Sequence, residues 1–266
     1  MKSPRPQEHP PTAAEAELQA LSLQELSDLC EAGEEIRTVE AVLARTGDNV
    51  VSEVLRNQGA FYEWDSYPAG GVEDKETHAQ YYYHAHAPDR RPPGEHGHFH
   101  TFLGPEGMPR GIRPAPAAPG HLLEVGQDGP CHLIAISMDG HGRARALFTV
   151  NRWVTGETLY RAHEVNRMLD RFAIGHAQPS WPTNRWITAM LRFFRPQICA
   201  LVRERDRQLA RWQSSRPSEN VLEDRRLEIT SWLDIDVERQ LESLYGLMEN
   251  SRSQQDFTAG THATED

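Results

Sequence analysis

The sequence predicts an α+β protein, with a central antiparallel sheet of hairpins flanked by N-terminal and C-terminal helices. Three observations carry this. Apolar residues recur at three- and four-residue spacing towards both ends of the chain, the period of a one-faced helix. In the middle they alternate with period two, as a strand with two different faces requires. The βαβα succession of a parallel nucleotide-binding sheet is missing.

Taken in order, residues 1–12 are rich in proline and polar groups and read as a disordered tail. One domain is expected over 13–249: helical over 13–59, sheet over 60–151, and helical again over 155–249. Residues 250–266 read as a loose polar tail. Leu18 and Leu21 begin the helical spacing, and Ser22 with Glu25 matches a capping box ahead of Leu26, Leu29, Ile36 and Val39. Gly47 ends that helix; Asp48 is placed to cap a short successor that Gly59 ends. The aromatic segment 61–68 reads as a loop pinned to the core by its rings or, alternatively, as the lining of a pocket with Glu63 or Asp65 as an extra oxygen ligand.

Residues 81–104 hold five of the thirteen histidines: His84, His86, His96, His98 and His100. They form two alternating groups around 87–95, whose three prolines and one glycine read as a hairpin loop. Symmetric closure sets His86 opposite His96, His84 opposite His98 and Tyr82 opposite His100. Five imidazoles then share one face, while Tyr83, Ala85, Phe99, Thr101 and Leu103 take the other, and Glu95 alternates to that far face. A slip of one residue would undo the arrangement.

Residues 104–120 read as an irregular connector, and 131–151 as a second hairpin carrying His132, Arg143 and Arg145. The two arginines form a solvated face or, if the sheet curls, approach an anionic substrate. From Thr155 or Gly156 a helix is expected through Leu159, Ala162, Val165 and Leu169, with His163 near its inner stripe as a core histidine. Pro182 suits a helix start after Ser180, Pro196 predicts a break near Arg195, and a last helical run is expected over 218–248.

Composition removes several functions. A net charge of -11 argues against nucleic acid as a partner. Cys30, Cys131 and Cys199 include no CxxC pair, so neither a disulfide framework nor a thiolate zinc site is expected. No run approaches the roughly 18 apolar residues of a membrane helix, and the N-terminus lacks a signal-peptide pattern. The expectation is a cytoplasmic protein without a membrane partner. Lys2 and Lys75 are the only lysines, a bias that reflects genome composition more than recognition.

The histidines carry the functional reading. A His-X-His pair on one strand with a third imidazole on its neighbour suits a catalytic transition metal, zinc or iron first and copper next. The candidate ligands are His84, His86, His96, His98 and His100, with His84, His86 and His98 as the nucleus. Glu95 and Tyr82 are candidates for acid–base work, and Arg90 and Arg91 for guiding a small, anionic substrate. This describes a metal-dependent hydrolase or oxygenase. A metal carrier or sensor, and a hydrogen-bonded His/Tyr ladder without any ligand, are the bland alternatives.

The run HGHFHTFLG at 96–104 also resembles the HxHxHxx signature of the histidine-triad nucleotide hydrolases and transferases. That resemblance implies His98 as a nucleophile forming a nucleotidyl-histidine, with His96 and His100 assisting and Arg90 and Arg91 on phosphate. Gly97 stands where that family carries an apolar residue. Over the whole chain, the YHAH element at 83–86 and EHGHFH at 95–100 resemble the hallmark of an uncharacterised bacterial family, a domain of unknown function. That likeness implies no activity.

Overall fold

The computed structural model describes residues 18–116 and 129–262. The expected 1–12 tail, the end of the 104–120 connector and the last four residues lie outside them. Ser22 and Glu25 close the expected capping box on α1 (Leu23–Ala44), whose Leu26, Leu29, Ile36 and Val39 are buried. The cap of α2 (Val50–Leu55) is Asn49 rather than Asp48: its side chain accepts from the N–H groups of Val51 and Ser52. Asp48 instead accepts from the Thr46 hydroxyl.

Five strands follow: β1 (Tyr67–Glu73), β2 (Ala79–His84), β3 (Glu95–Leu103), β4 (Cys131–Asp139) and β5 (Ala144–Val150). A short helix, α3 (Arg152–Thr155), is stopped by Gly156 at φ +65, a left-handed conformation that glycine adopts without cost. Gly156 therefore ends a helix where the sequence reads a start, and α4 runs over Ala162–Leu169. Ser180 caps α5 (Trp181–Phe193) with Pro182 in its first turn, and Phe194 separates it from α6 (Arg195–Ser215) at the break that Pro196 predicts.

The expected helix over 218–248 is corrected. A sixth strand, β6 (Ile229–Asp234), lies there, and α7 (Val237–His262) begins only after it. Ile229, Trp232 and Leu233 fit a three–four spacing as well as a strand, so periodicity alone misassigns them. The open edge of β5 decides: Thr149 hydrogen-bonds the hydroxyls of Thr230 and Ser231 across the pair. α7 also continues past Asn250 into the polar stretch read as a tail, since extending an existing helix costs far less than starting one.

The sheet order is β1-β2-β3-β4-β5-β6, each neighbouring pair antiparallel. One face carries Tyr81, Tyr83, Phe99, Leu103, Ile134, Ile136 and Leu147 into the main core with Ile36, Trp186 and Phe193 of the helices. The opposite face holds a smaller apolar group, Ala135, Phe148 and Val150 against Trp232 and Ile229, and the histidines. Among the described residues, no helix is long and apolar enough to cross a membrane.

Candidate metal centre

Register builds the site. β2 and β3 pair with Tyr82 opposite His100 and His84 opposite His98, so these four side chains share the face away from the main core. The Nε2 atoms of His84 and His98 approach to 2.7 Å. His86 lies two residues beyond the end of β2, its ring 5.0 Å from His84 and 5.2 Å from His98 between centroids. One ring nitrogen from each of His84, His86 and His98 falls within 4.8 Å of the others. Three imidazole nitrogens this close together could hold one metal ion.

The surroundings set the tautomer and charge of these rings. Glu95 Oε1 lies 3.0 Å from His98 Nδ1, and the carboxylate can only accept, so Nδ1 carries the proton and Nε2 the lone pair. Ser137 donates to the other oxygen of Glu95, and the carboxylate is buried. His84 then donates to His98 from Nε2, a proton that must move to Nδ1 when a cation takes both lone pairs. Burial, followed by the neighbouring imidazoles, pushes His84 down to about 3 and His86 to about 4. Both rings are neutral near pH 7 and offer lone pairs without shedding a proton.

Behind the three rings runs a second polar chain. His100 Nδ1 meets His132 Nε2 at 2.9 Å, and the His132 backbone N–H donates to Glu157 Oε2 at 2.6 Å. All three residues are buried; burial drives His100 well below its ordinary range, His132 to about 3, and Glu157 up to about 7. Among the described residues, His100 Nε2 and Glu157 Oε1 meet no hydrogen-bond partner.

A family described as "Domain of unknown function (DUF6969)" matches residues 30–235, which take in the whole sheet and every residue of this histidine face. The chain belongs to this family. No curated protein and no solved structure matches it.

Within the DUF6969 domain, the sequence-derived candidates separate into groups. His84, His86 and His98 converge; His100 stands beside them but bonds to His132. His96 does not join them. The register of β3 against β4 shifts between Glu95 and Gly97, an extra residue that reverses the alternation upstream. His96 thereby crosses to the core face, with Nδ1 2.6 Å from the Tyr83 hydroxyl and its ring against Phe61, while Glu95 crosses to the histidine face. The strict alternation used for both residues fails at this bulge. His96, His98 and His100 therefore do not line one face as the histidine-triad likeness implies.

Glu95 has both oxygens engaged and holds His98 rather than standing free as a base. Tyr82 lies beside His84 and His100, its phenol raised to about 12 by burial and then by Glu157, so it stays a proton donor near neutrality. Arg91 donates to the His96 carbonyl at 2.7 Å and braces the hairpin loop, as Arg145 does through the Pro93 carbonyl at 2.8 Å. Arg90 is exposed on that loop, and Glu63 and Asp65 are exposed on theirs. Sequence reasoning missed the roles of His132, Ser137, Glu157 and Trp64. The first two come from β4, whose register against β3 no hairpin turn dictates.

Proposed function

We propose that this chain is a metalloenzyme binding one transition ion, zinc or iron, through His84, His86 and His98, and acting on a small anionic substrate. The convergence of three imidazole nitrogens within 4.8 Å, with a buried carboxylate fixing the tautomer of one of them, carries the reading. A three-nitrogen set leaves coordination positions open, and an ion held this way supplies Lewis-acid or redox chemistry to a hydrolase or oxygenase. His86, half-buried, marks the accessible side, with Arg90 on the neighbouring loop to attract an anion and Tyr82 to donate a proton. The acidic chain fits a small molecule better than nucleic acid. A reducing, cytoplasmic setting fits three cysteines placed on α1, β4 and α6.

Elemental analysis of protein purified without a histidine tag tests the metal. One ion per chain is expected, with loss in both His84→Ala and His98→Ala while the far-face variant His96→Ala retains it. An ion content equally low in wild type and variants would remove the reading. Turnover of anionic esters, or oxygen uptake with small carboxylates, then separates an enzyme from a carrier.

A further inference from the structure

Two of the three proposed ligands are held by the sheet. His84 closes β2 and His98 sits within β3, their backbones fixed by the ladder between them. His86 has no such support, because it follows the last residue of β2 by two positions. What it has is Trp64. The indole stacks on the His86 imidazole with centroids 4.4 Å apart and planes 19° from parallel. The Trp64 backbone N–H donates to the Ala85 carbonyl at 2.9 Å, tying the two segments together one residue before the proposed ligand.

Trp64 holds this place at φ +74, a left-handed conformation that a bulky side chain rarely adopts unless its surroundings impose it. The residue nevertheless stays 55% exposed, so burial of apolar surface does not account for keeping it there. The base of the same loop is braced: Tyr62 N–H donates to the Tyr67 hydroxyl at 2.6 Å, and Phe61 stacks on Tyr67 at 5.1 Å. A firm base and a strained, exposed tip laid on an imidazole describe a clamp.

We infer that Trp64 is a positioning residue that holds His86 in place as the third ligand, and that lifting Trp64 is the step through which the ion arrives and departs. This rests on the proposed His84/His86/His98 centre. With the clamp open, His84 and His98 retain the ion through two nitrogens only, so release becomes fast. With it closed, the third nitrogen is preorganised and the ion is retained.

The test is competition of Zn²⁺ between the full-length protein and a chromophoric chelator, with release followed by stopped flow into excess chelator. Trp64→Gly removes the ring while suiting the positive φ, and Trp64→Phe keeps an aromatic face. Loss of a group that orients a ligand lowers metal affinity by ~10–100-fold, and that loss is expected in Trp64→Gly, mostly as faster release. Trp64→Phe is expected to restore most of it, and Co²⁺-loaded Trp64→Gly to show the visible spectrum of a centre with one nitrogen fewer. Thermal melts of the metal-free variants check that all are folded. Wild-type affinity and release rate in Trp64→Gly, or Trp64→Phe as weak as Trp64→Gly, would overturn the clamp while leaving the centre standing. Absence of stoichiometric binding by wild type would overturn both.

Discussion

Glu95 shows how one side chain sets the chemistry of another. Its carboxylate can only accept hydrogen bonds, and its contact with Nδ1 leaves Nε2 of His98 as the basic nitrogen facing His84. Glu95→Gln keeps the shape and a weaker acceptor but removes the negative charge behind the proposed ligand. Metal affinity should fall by about tenfold, the lower end of what such supporting groups contribute, measured by chelator competition. Glu95→Ala should also cost folding stability of about 1–3 kcal/mol in a urea titration, because the buried His98 Nδ1 and Ser137 hydroxyl lose their partner. A variant that binds metal as tightly as wild type would mean that some other group fixes the His98 tautomer.

At the scale of elements, the bulge in β3 sorts the histidines, and Gly97 makes it possible. A Cβ at Gly97 would stand 2.5 Å from the His84 carbonyl and 2.6 Å from the Tyr83 hydroxyl, the group that bonds His96. Backbone and a buried ring cannot both give way, so Gly97→Ala should destabilise the protein by about 1–3 kcal/mol and weaken metal binding through displaced Glu95. A melting curve unchanged from wild type would show that the strand relaxes freely. The same element marks the limit of what alternation can reveal. The pairs Tyr82–His100 and His84–His98 were legible, because period two and a proline-rich loop specify them. The bulge was not, since one extra residue leaves no trace in a hydrophobic pattern and inverts the faces of Glu95 and His96. His132 was hidden for a related reason: a second shift, between Thr101 and Phe102, brings it to His100 from a strand separated by a long connector. β6 was lost to the helical spacing of Ile229, Trp232 and Leu233, and only the unpaired edge of β5 resolves it.

For the whole molecule, the buried imidazoles make stability a function of pH. Burial holds His132 near 3, His84 near 3, His86 near 4 and His100 well below its ordinary value, whereas an unfolded chain titrates its histidines near 6.5. Below pH 6.5 the unfolded chain therefore takes up protons that the fold refuses. The neutral rings' contribution is complete above that pH and is lost progressively towards pH 3–4. Glu157 works in the opposite sense: burial raises it to about 7, so the fold keeps a proton that the unfolded carboxyl releases above about 4.5. Its contribution is complete at low pH and is lost as pH rises through 7. Number decides between them. At pH 5.5 four imidazoles held down by burial refuse protons that the unfolded chain takes up, against one carboxyl moving the other way. Metal-free protein should gain stability steeply from pH 4.5 to about 6.5, then level off or decline slightly by pH 7.5. Glu157→Gln can still accept from the His132 N–H but has no proton to release, so its rise should be steeper and its plateau flat. Urea midpoints across this range, in chelator to exclude bound ions, read the difference directly. A flat profile between pH 5 and 6.5 in wild type would mean that these imidazoles are not held neutral by the fold, and the ready supply of lone pairs on which metal capture depends would go with it.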